Sequence, residues 1–398
     1  MTPLAYEIYT QIRIAMKPKF PVVIIALCVL TYHISCDTKK FEQDKTPIHL
    51  QLNHKTDTIT ITPDVYSGYG VLTADSSNIY MMDIKFGTLS VFNHKGVFQE
   101  RLFGFGKGPQ ELPYKPHKFD INSSGTVVFI NDHTFSFGSL KKDNTVKTVT
   151  TDWMENNPLS VLQSKPKGDM NGIYEIDWSK GDNRIAITDS LIYLPIITYH
   201  PLLNGYMHKK YYKTTRVVGA FNYNGQLVKT FGKRSNEYLK SKYIANFDKA
   251  YITSGNEMVF VSFAIDSLVY AYDLAGKLVT SFGKGHPKLK QNYPEYSSFE
   301  TAESNYPRNW NEYGTYQSIK YSATDSVLVR LVFPNLNDNT HLQIFKYNEF
   351  VGSIETPKNF KLAYVGNGKI IGHTTPDEEF SKSINLITIN YTIVNSTY

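Results

Sequence analysis

One turn recurs along this chain at a spacing that few folds can use. In 218–233 and again in 268–285, an alternating strand ends in Asn222 or Asp273, and Gly225 or Gly276 follows three residues later. A second strand then closes on Phe231-Gly232-Lys233 or Phe282-Gly283-Lys284. Glycine reaches positive φ without steric cost, so each site can close a short hairpin with its strands in register. The two glycines lie 51 residues apart, within the period of a four-stranded propeller blade.

A third copy stands nearer the start. Residues 79–82 form a short apolar run, and Leu89 and Val91 alternate as a half-buried strand does. Asn93-His94-Lys95-Gly96 supplies the turn, and 97–103 returns toward Phe105-Gly106-Lys107-Gly108-Pro109. Weaker copies fill the gaps: 126–131 with 135–146 and a turn at Asp143-Asn144, 327–333 with 342–354 and a turn at Asn348, and 369–373 with 384–394. The units fall near 65–112, 115–155, 170–233, 245–285, 315–356 and 360–394. That predicts an all-β, six-bladed propeller of four-stranded antiparallel blades rather than one with five or seven. An early strand, 48–52 or 58–62, is free to complete the last blade, which closes the ring and removes exposed sheet edges. A single sandwich of about 100 residues has too few strands for this pattern.

Composition agrees. The chain is 41% hydrophobic and 20% charged, with 29 Tyr and 23 Phe, and shows no sustained helical periodicity. Its 398 residues would suggest two or three domains, but a ring of repeats uses most of them as one, over 47–398. The net charge of +6 comes without a long run of like charges, so no nucleic-acid partner is expected.

The first 36 residues read as an export signal with upstream residues. Met16-Lys17-Pro18-Lys19 is a basic start, and Met16 is the expected first residue of the signal. The apolar run 20–32 is too short to span a bilayer. His33-Ile34-Ser35-Cys36 resembles the lipobox of bacterial lipoproteins, with His33 where Leu is usual. That resemblance implies a lipidated Cys36 and a polar tether over 37–46, hence a lipid-anchored protein of the bacterial cell envelope. Cys28 and Cys36 are the two cysteines of the chain, so neither a disulfide framework nor a cysteine metal site is expected in the body.

Connectors from each outer strand to the next inner strand cross one face of a propeller. The three strong repeats put Lys107, Glu111 and Tyr114, then Lys233 and Glu237, then Lys284 and His286 on such connectors. They read either as a shared ligand rim or as scaffold, with Glu111 and Glu237 accepting connector N–H groups. Two segments break the repeat. A long insertion at 291–316 carries Tyr293, Tyr296, Phe299, Tyr306, Arg308, Trp310 and Tyr313, which suit stacking on sugars or peptide side chains or, alternatively, packing on the disc itself. The segment 206–213 interleaves Lys209, Lys210 and Lys213 with Tyr211 and Tyr212, which suits an anionic envelope polymer or lipid headgroup, or, as the leading expectation, a Lys-guarded blade edge. Signatures of zinc proteases, serine hydrolases, Walker loops and dinucleotide folds are absent. His117, His133 and His286 are too scattered to predict a metal site, and no cofactor is expected.

The blade pattern Ile79 to Asp83, Leu89 to Gly96 and Phe105-Gly106-Lys107-Gly108 resembles NHL-repeat and TolB-like six-bladed propellers. The exit Gly106-Lys107-Gly108-Pro109-Gln110-Glu111-Leu112 is similar to the Gly-x-Gly-Pro-Gly-Glu-Phe signature of Bacteroidetes-type six-bladed propeller lipoproteins, with Gln110 and Leu112 departing from it. The resemblance implies fold and envelope location and assigns no reaction. The expected function is a membrane-anchored, non-catalytic propeller binding a peptide, protein or glycan at the connector face. The alternative is an envelope hydrolase or lyase using Glu111, Glu237 or Asp83 at the channel mouth. A third reading is a structural partner in an outer-membrane complex.

Overall fold

The computed structural model describes residues 50–62, 66–131, 133–141, 145–177, 185–240, 243–290, 292–296, 298–374 and 383–395. The signal segment, Cys36, the 37–46 tether and the Asp143-Asn144 turn lie outside the described residues.

The turn that organises the sequence also organises the structure. Gly96, Gly225 and Gly276 stand at φ +76°, +80° and +84°. In each, the preceding Asn or Asp side chain caps the turn. Asn93 Oδ1 accepts from the Lys95 and Val97 N–H groups, Asn222 Oδ1 from Asn224 and Gln226, and Asp273 Oδ1 from Lys277. A β-bulge follows at the same place in all three hairpins, adding local twist where the outer strand departs.

The first strand, β1 (Leu50–Ile61), is held for the last blade. Blade 1 comprises β2 (Gly70–Ala74), β3 (Asn78–Asp83), β4 (Thr88–Asn93) and β5 (Phe98–Leu102). Blade 2 comprises β6 (Lys118–Ile121), β7 (Thr126–Ile130), β8 (Thr134–Ser139) and β9 (Lys147–Thr150). The connector onward carries the short helix α1 (Leu159–Ser164). In blade 3 the inner position is shared by β10 (Glu175–Ile176) and β11 (Ala186–Ile187), followed by β12 (Ile192–Ile197), β13 (Val218–Phe221) and β14 (Leu227–Phe231). Helix α2 (Lys209–Thr214) sits between β12 and β13, and α3 (Asn236–Lys240) follows β14. Blade 4 comprises β15 (Ala250–Gly255), β16 (Met258–Phe263), β17 (Leu268–Asp273) and β18 (Leu278–Gly283). Helix α4 (Phe299–Glu312) then leads to blade 5: β19 (Thr315–Ser322), β20 (Val327–Phe333), β21 (Thr340–Lys346) and β22 (Glu349–Thr356). Blade 6 comprises β23 (Lys361–Gly366), β24 (Lys369–Thr374) and β25 (Ile384–Asn395), with β1 as its outer strand.

Thus 50–52 and 58–61, from the two early segments considered for closure, belong to one strand. It pairs antiparallel with β25 from Leu50↔Asn395 to Ile61↔Ile384. Side chains complete the seam: Ile61 joins Leu72, Ile79 and Met81 of blade 1 against Ile371 and Leu386 of blade 6. Each such buried aliphatic contributes roughly 1.5–3 kcal/mol, so closure is a hydrophobic as well as a hydrogen-bonded join. Corresponding apolar layers separate blades 1 and 2, 2 and 3, and 5 and 6. Middle strands are covered on both faces and read as continuous apolar runs, whereas β5 exposes four of its five residues.

One buried charge joins blades 4 and 5. Arg330, on β20, is fully buried and donates to the carbonyls of Asp266, Ser267 and Lys284 and to Gln343 Oε1. Its guanidinium lies 3.8 Å from the Tyr316 ring centroid. Burial brings its pKa down to about 10, and a ring of neutral acceptors keeps it satisfied.

Candidate functional site

Strand direction fixes two faces. Outer-to-inner connectors share one face, and the tight inner hairpins share the other. The connectors 103–117, 232–249 and 284–314 therefore place Lys107, Glu111, Tyr114, Lys233, Glu237, Lys284, His286, Arg308, Trp310 and Tyr313 on one connector face. Sharing a face does not make them one site.

The first connector is out of phase with the others. Leu102 pairs with Leu89 as Phe231 pairs with Val218 and Phe282 with Val269. Leu102 is therefore the counterpart of Phe231 and Phe282, and Phe105-Gly106-Lys107 lies three residues further on. Phe103 stands in the counterpart position of Gly232, and both have positive φ, 61° and 72°. The six-residue offset from Phe to Glu shared by Glu111 and Glu237 is consequently a coincidence of sequence. Glu111 Oε2 accepts the Gly108 N–H at 2.7 Å and fills the space where Gly106 would carry a Cβ. Glu237, in the first turn of α3, pairs with Lys240 at 2.7 Å. Asp83 is buried and closes its own loop, accepting from the Ser67 N–H and Oγ, the Lys85 N–H and the Phe86 N–H.

The remaining candidates divide in the same way. Lys107, Tyr114, Lys233 and Lys284 are exposed, and the Lys284 carbonyl takes bonds from Arg330, Gln343 and Tyr316. The His286 ring lies 4.7 Å from that of His341. Burial, with His341, Lys288 and Arg330 beside it, holds the His286 pKa down at about 4. Arg308 is exposed and paired with Glu312 at 2.9 Å.

The aromatic insertion folds into α4, a helix that the β-rich pattern did not announce. Ser298 caps it by accepting the Thr301 N–H, and Glu300 complements the dipole in the first turn. Asn246 Nδ2 ties the helix to the disc through the Ala302 carbonyl at 2.7 Å. Tyr313 and Trp310 turn inward onto Phe247, with ring centroids 5.9 and 6.2 Å away, and Tyr293 joins them at 4.8 Å. These rings build the platform.

The outward surface is formed by Phe299 and Tyr306 of the same insertion, 44% and 39% exposed, with Met207 of the 206–213 segment, 55%, and Tyr199, 50%, which the sequence reading did not single out. Half-buried Tyr206 links them, with its ring 5.0 Å from Phe299, while Tyr306 lies 6.0 Å from Trp310. Burial pushes the Tyr206 hydroxyl up to about 12, and Tyr306, Asp248, Glu303 and Asp177 act in the same direction. The hydroxyl is therefore a donor at neutral pH. At the adjacent channel mouth Lys249 and Asp177 lie 3.9 Å apart.

The segment 206–213 is a correction. It forms no blade edge; it is the chain around α2 on the connector face, with Tyr211 and Tyr212 buried. Tyr211 stacks on Arg234, 4.0 Å from its guanidinium, and donates to Asp248 Oδ2. Arg234 in turn donates to Asp248, Thr215 and Tyr211. This buried cluster fixes the loop from which Tyr199 and Tyr206 project.

The fold and this face together define a six-bladed β-propeller with an aromatic patch on its connector side. No family model and no curated protein matches the chain. Among solved structures it is similar to a member of the DUF4221 family from Bacteroides vulgatus, with 14% identity over 87% of this chain and 99% of that one and a TM-score of 0.58. It also aligns with a protein described as exported from Bacteroides fragilis, at 11% identity, 84% and 94% coverage and a TM-score of 0.49. A third alignment is with virginiamycin B lyase from Staphylococcus aureus, at 15% identity, 84% and 99% coverage and a TM-score of 0.42. At these identities the likeness is one of fold. Among the described residues no helix is long and apolar enough to cross a membrane, and no group of three or more His, Cys, Asp or Glu could hold a metal.

Proposed function

We propose that this chain is a lipid-anchored, non-catalytic propeller of the bacterial envelope that binds a peptide, protein or glycan at its connector face. The observation that carries this reading is the exposed aromatic group of Tyr199, Phe299 and Tyr306 around Tyr206, raised on a rigid base of packed rings. Exposed aromatics contribute large contact area at low entropic cost and stack on sugars or apolar side chains. The roles of Glu111, Glu237 and Asp83 favour binding over hydrolase or lyase chemistry, since each is engaged in holding its own loop or helix. Leu50, where β1 begins, lies on the hairpin side of the disc, opposite the patch. Glycan and peptide arrays probed with the purified full chain test this. Wild type should retain a defined set of ligands, and a Tyr199→Ala/Phe299→Ala variant should lose them. Equal capture by both proteins removes the patch from the site.

A further inference from the structure

The central channel holds a second feature, at its hairpin end. A cavity of about 160 Å³ is lined there by residues of all six inner positions. Blades 2 and 5 are diametrically opposed in a ring of six, and each sends one charge into it: Asp120 from β6 and Lys320 from β19. The side chains are 16% and 17% exposed, and Lys320 Nζ lies 3.9 Å from Asp120 Oδ2. That gap exceeds hydrogen-bond length. Asp120 Oδ1 accepts from the Thr73 hydroxyl and the Ile121 N–H. Among the described residues neither Oδ2 nor the ammonium makes a hydrogen bond, and the two face each other as an ion pair. An acceptor and a donor of opposite sign thus face one small space. Hydroxyl-bearing Thr253 and Tyr364 line it, and Ala186 and Ala363 leave room.

A buried ion pair is weak evidence for stability, because desolvation offsets its attraction. Here the pair is only partly buried and, at 3.9 Å, attracts without a hydrogen bond, which leaves both groups able to bond a third partner. At about 30 Å³ per water, the cavity admits roughly five waters, or a solute of about that many heavy atoms. We infer that the channel binds a small zwitterion, an α-amino acid with a short side chain. Its ammonium bonds Asp120 Oδ2, and its carboxylate, attached to the same carbon, bonds Lys320 Nζ. An anion alone would meet Asp120, a cation alone would meet Lys320, and a neutral sugar could hydrogen-bond both but neutralise neither charge. The site lies on the opposite face from the aromatic patch and stands or falls independently of it.

The test is calorimetric titration of the full chain with glycine, L-alanine and L-serine, with acetate and methylammonium as singly charged controls. At least one amino acid should bind with a Kd below about 1 mM and the controls at least about tenfold more weakly. Asp120→Asn and Lys320→Met should each weaken binding by about tenfold or more, and the reciprocal exchange Asp120→Lys/Lys320→Asp should recover it in part. Should a single variant fail to fold, the wild-type contrast between amino acids and controls decides alone. The proposal is overturned if no amino acid gives saturable heat up to about 10 mM, if the controls bind as well, or if both folded variants bind undiminished.

Discussion

Arg234 and Asp248 are locked by two parallel hydrogen bonds, Nε to Oδ1 and Nη2 to Oδ2, each 2.7 Å. Their side chains are 2% and 5% exposed, so neither charge has water to fall back on. Asp248→Asn should cost about 3–5 kcal/mol in urea unfolding, since it strands a buried guanidinium. The double variant Arg234→Met/Asp248→Asn should cost less than the sum of the singles, by about 1 kcal/mol or more. Additive losses would mean the pair is not coupled.

Trp310 and Tyr313 separate platform from surface. Both rings pack on Phe247, so Trp310→Ala should lose about 2–3 kcal/mol, somewhat less than for a fully buried ring. Tyr199→Ala should change stability by about 0.5 kcal/mol or less. Thermal melts of the two variants distinguish these outcomes directly.

The hairpin glycines should be intolerant. Gly276 stands at φ +84°, and a Cβ there would lie 2.8 Å from the Cβ of Phe231 in the preceding blade. Gly276→Ala should cost about 1–3 kcal/mol. Gly285 has open space around its would-be Cβ, and Gly285→Ala should be near neutral. Chemical denaturation of both checks the contrast.

Acid should weaken the ring through His373. Burial, then Lys361, lowers its folded pKa to about 3 from an ordinary 6.5. Below pH 6.5 the unfolded chain takes up a proton that the folded chain refuses, so stability present above 6.5 is lost as pH falls. The slope is about 1.4 kcal/mol per pH unit for one such group, or about 2 kcal/mol between pH 6.5 and 5. His286, at about 4, acts in the same sense. His373→Leu should flatten the urea-midpoint profile over this range, and an unchanged slope would assign the loss to other groups.

The blades were legible because hairpin chemistry is local. Gly225 and Gly276 carry their own geometry, and the six units follow from the spacing. Closure followed too, since a last blade short of one strand needs β1. The site was less legible for three reasons. The motif Phe105-Gly106-Lys107 copies Phe231-Gly232-Lys233 in letters but sits three residues out of register, which only strand pairing reveals. Helix α4 formed where tertiary packing on Phe247 overrode an aromatic-rich stretch with no clear helical period. Tyr199 has no motif at all and becomes notable only once Arg234, far along the chain, fixes the loop that displays it. Ser298 followed by Glu300 and Thr301 was the one local sign of a helix start at the insertion.

Hydrogen exchange on the full chain, with and without the best array ligand, tests the connector-face assignment most directly. The account predicts new protection confined to peptides covering 199–207 and 299–310, with the hairpin-face peptides around Gly96 and Gly276 unchanged. Protection centred on those hairpins, or none at either connector segment under saturating ligand, would contradict it.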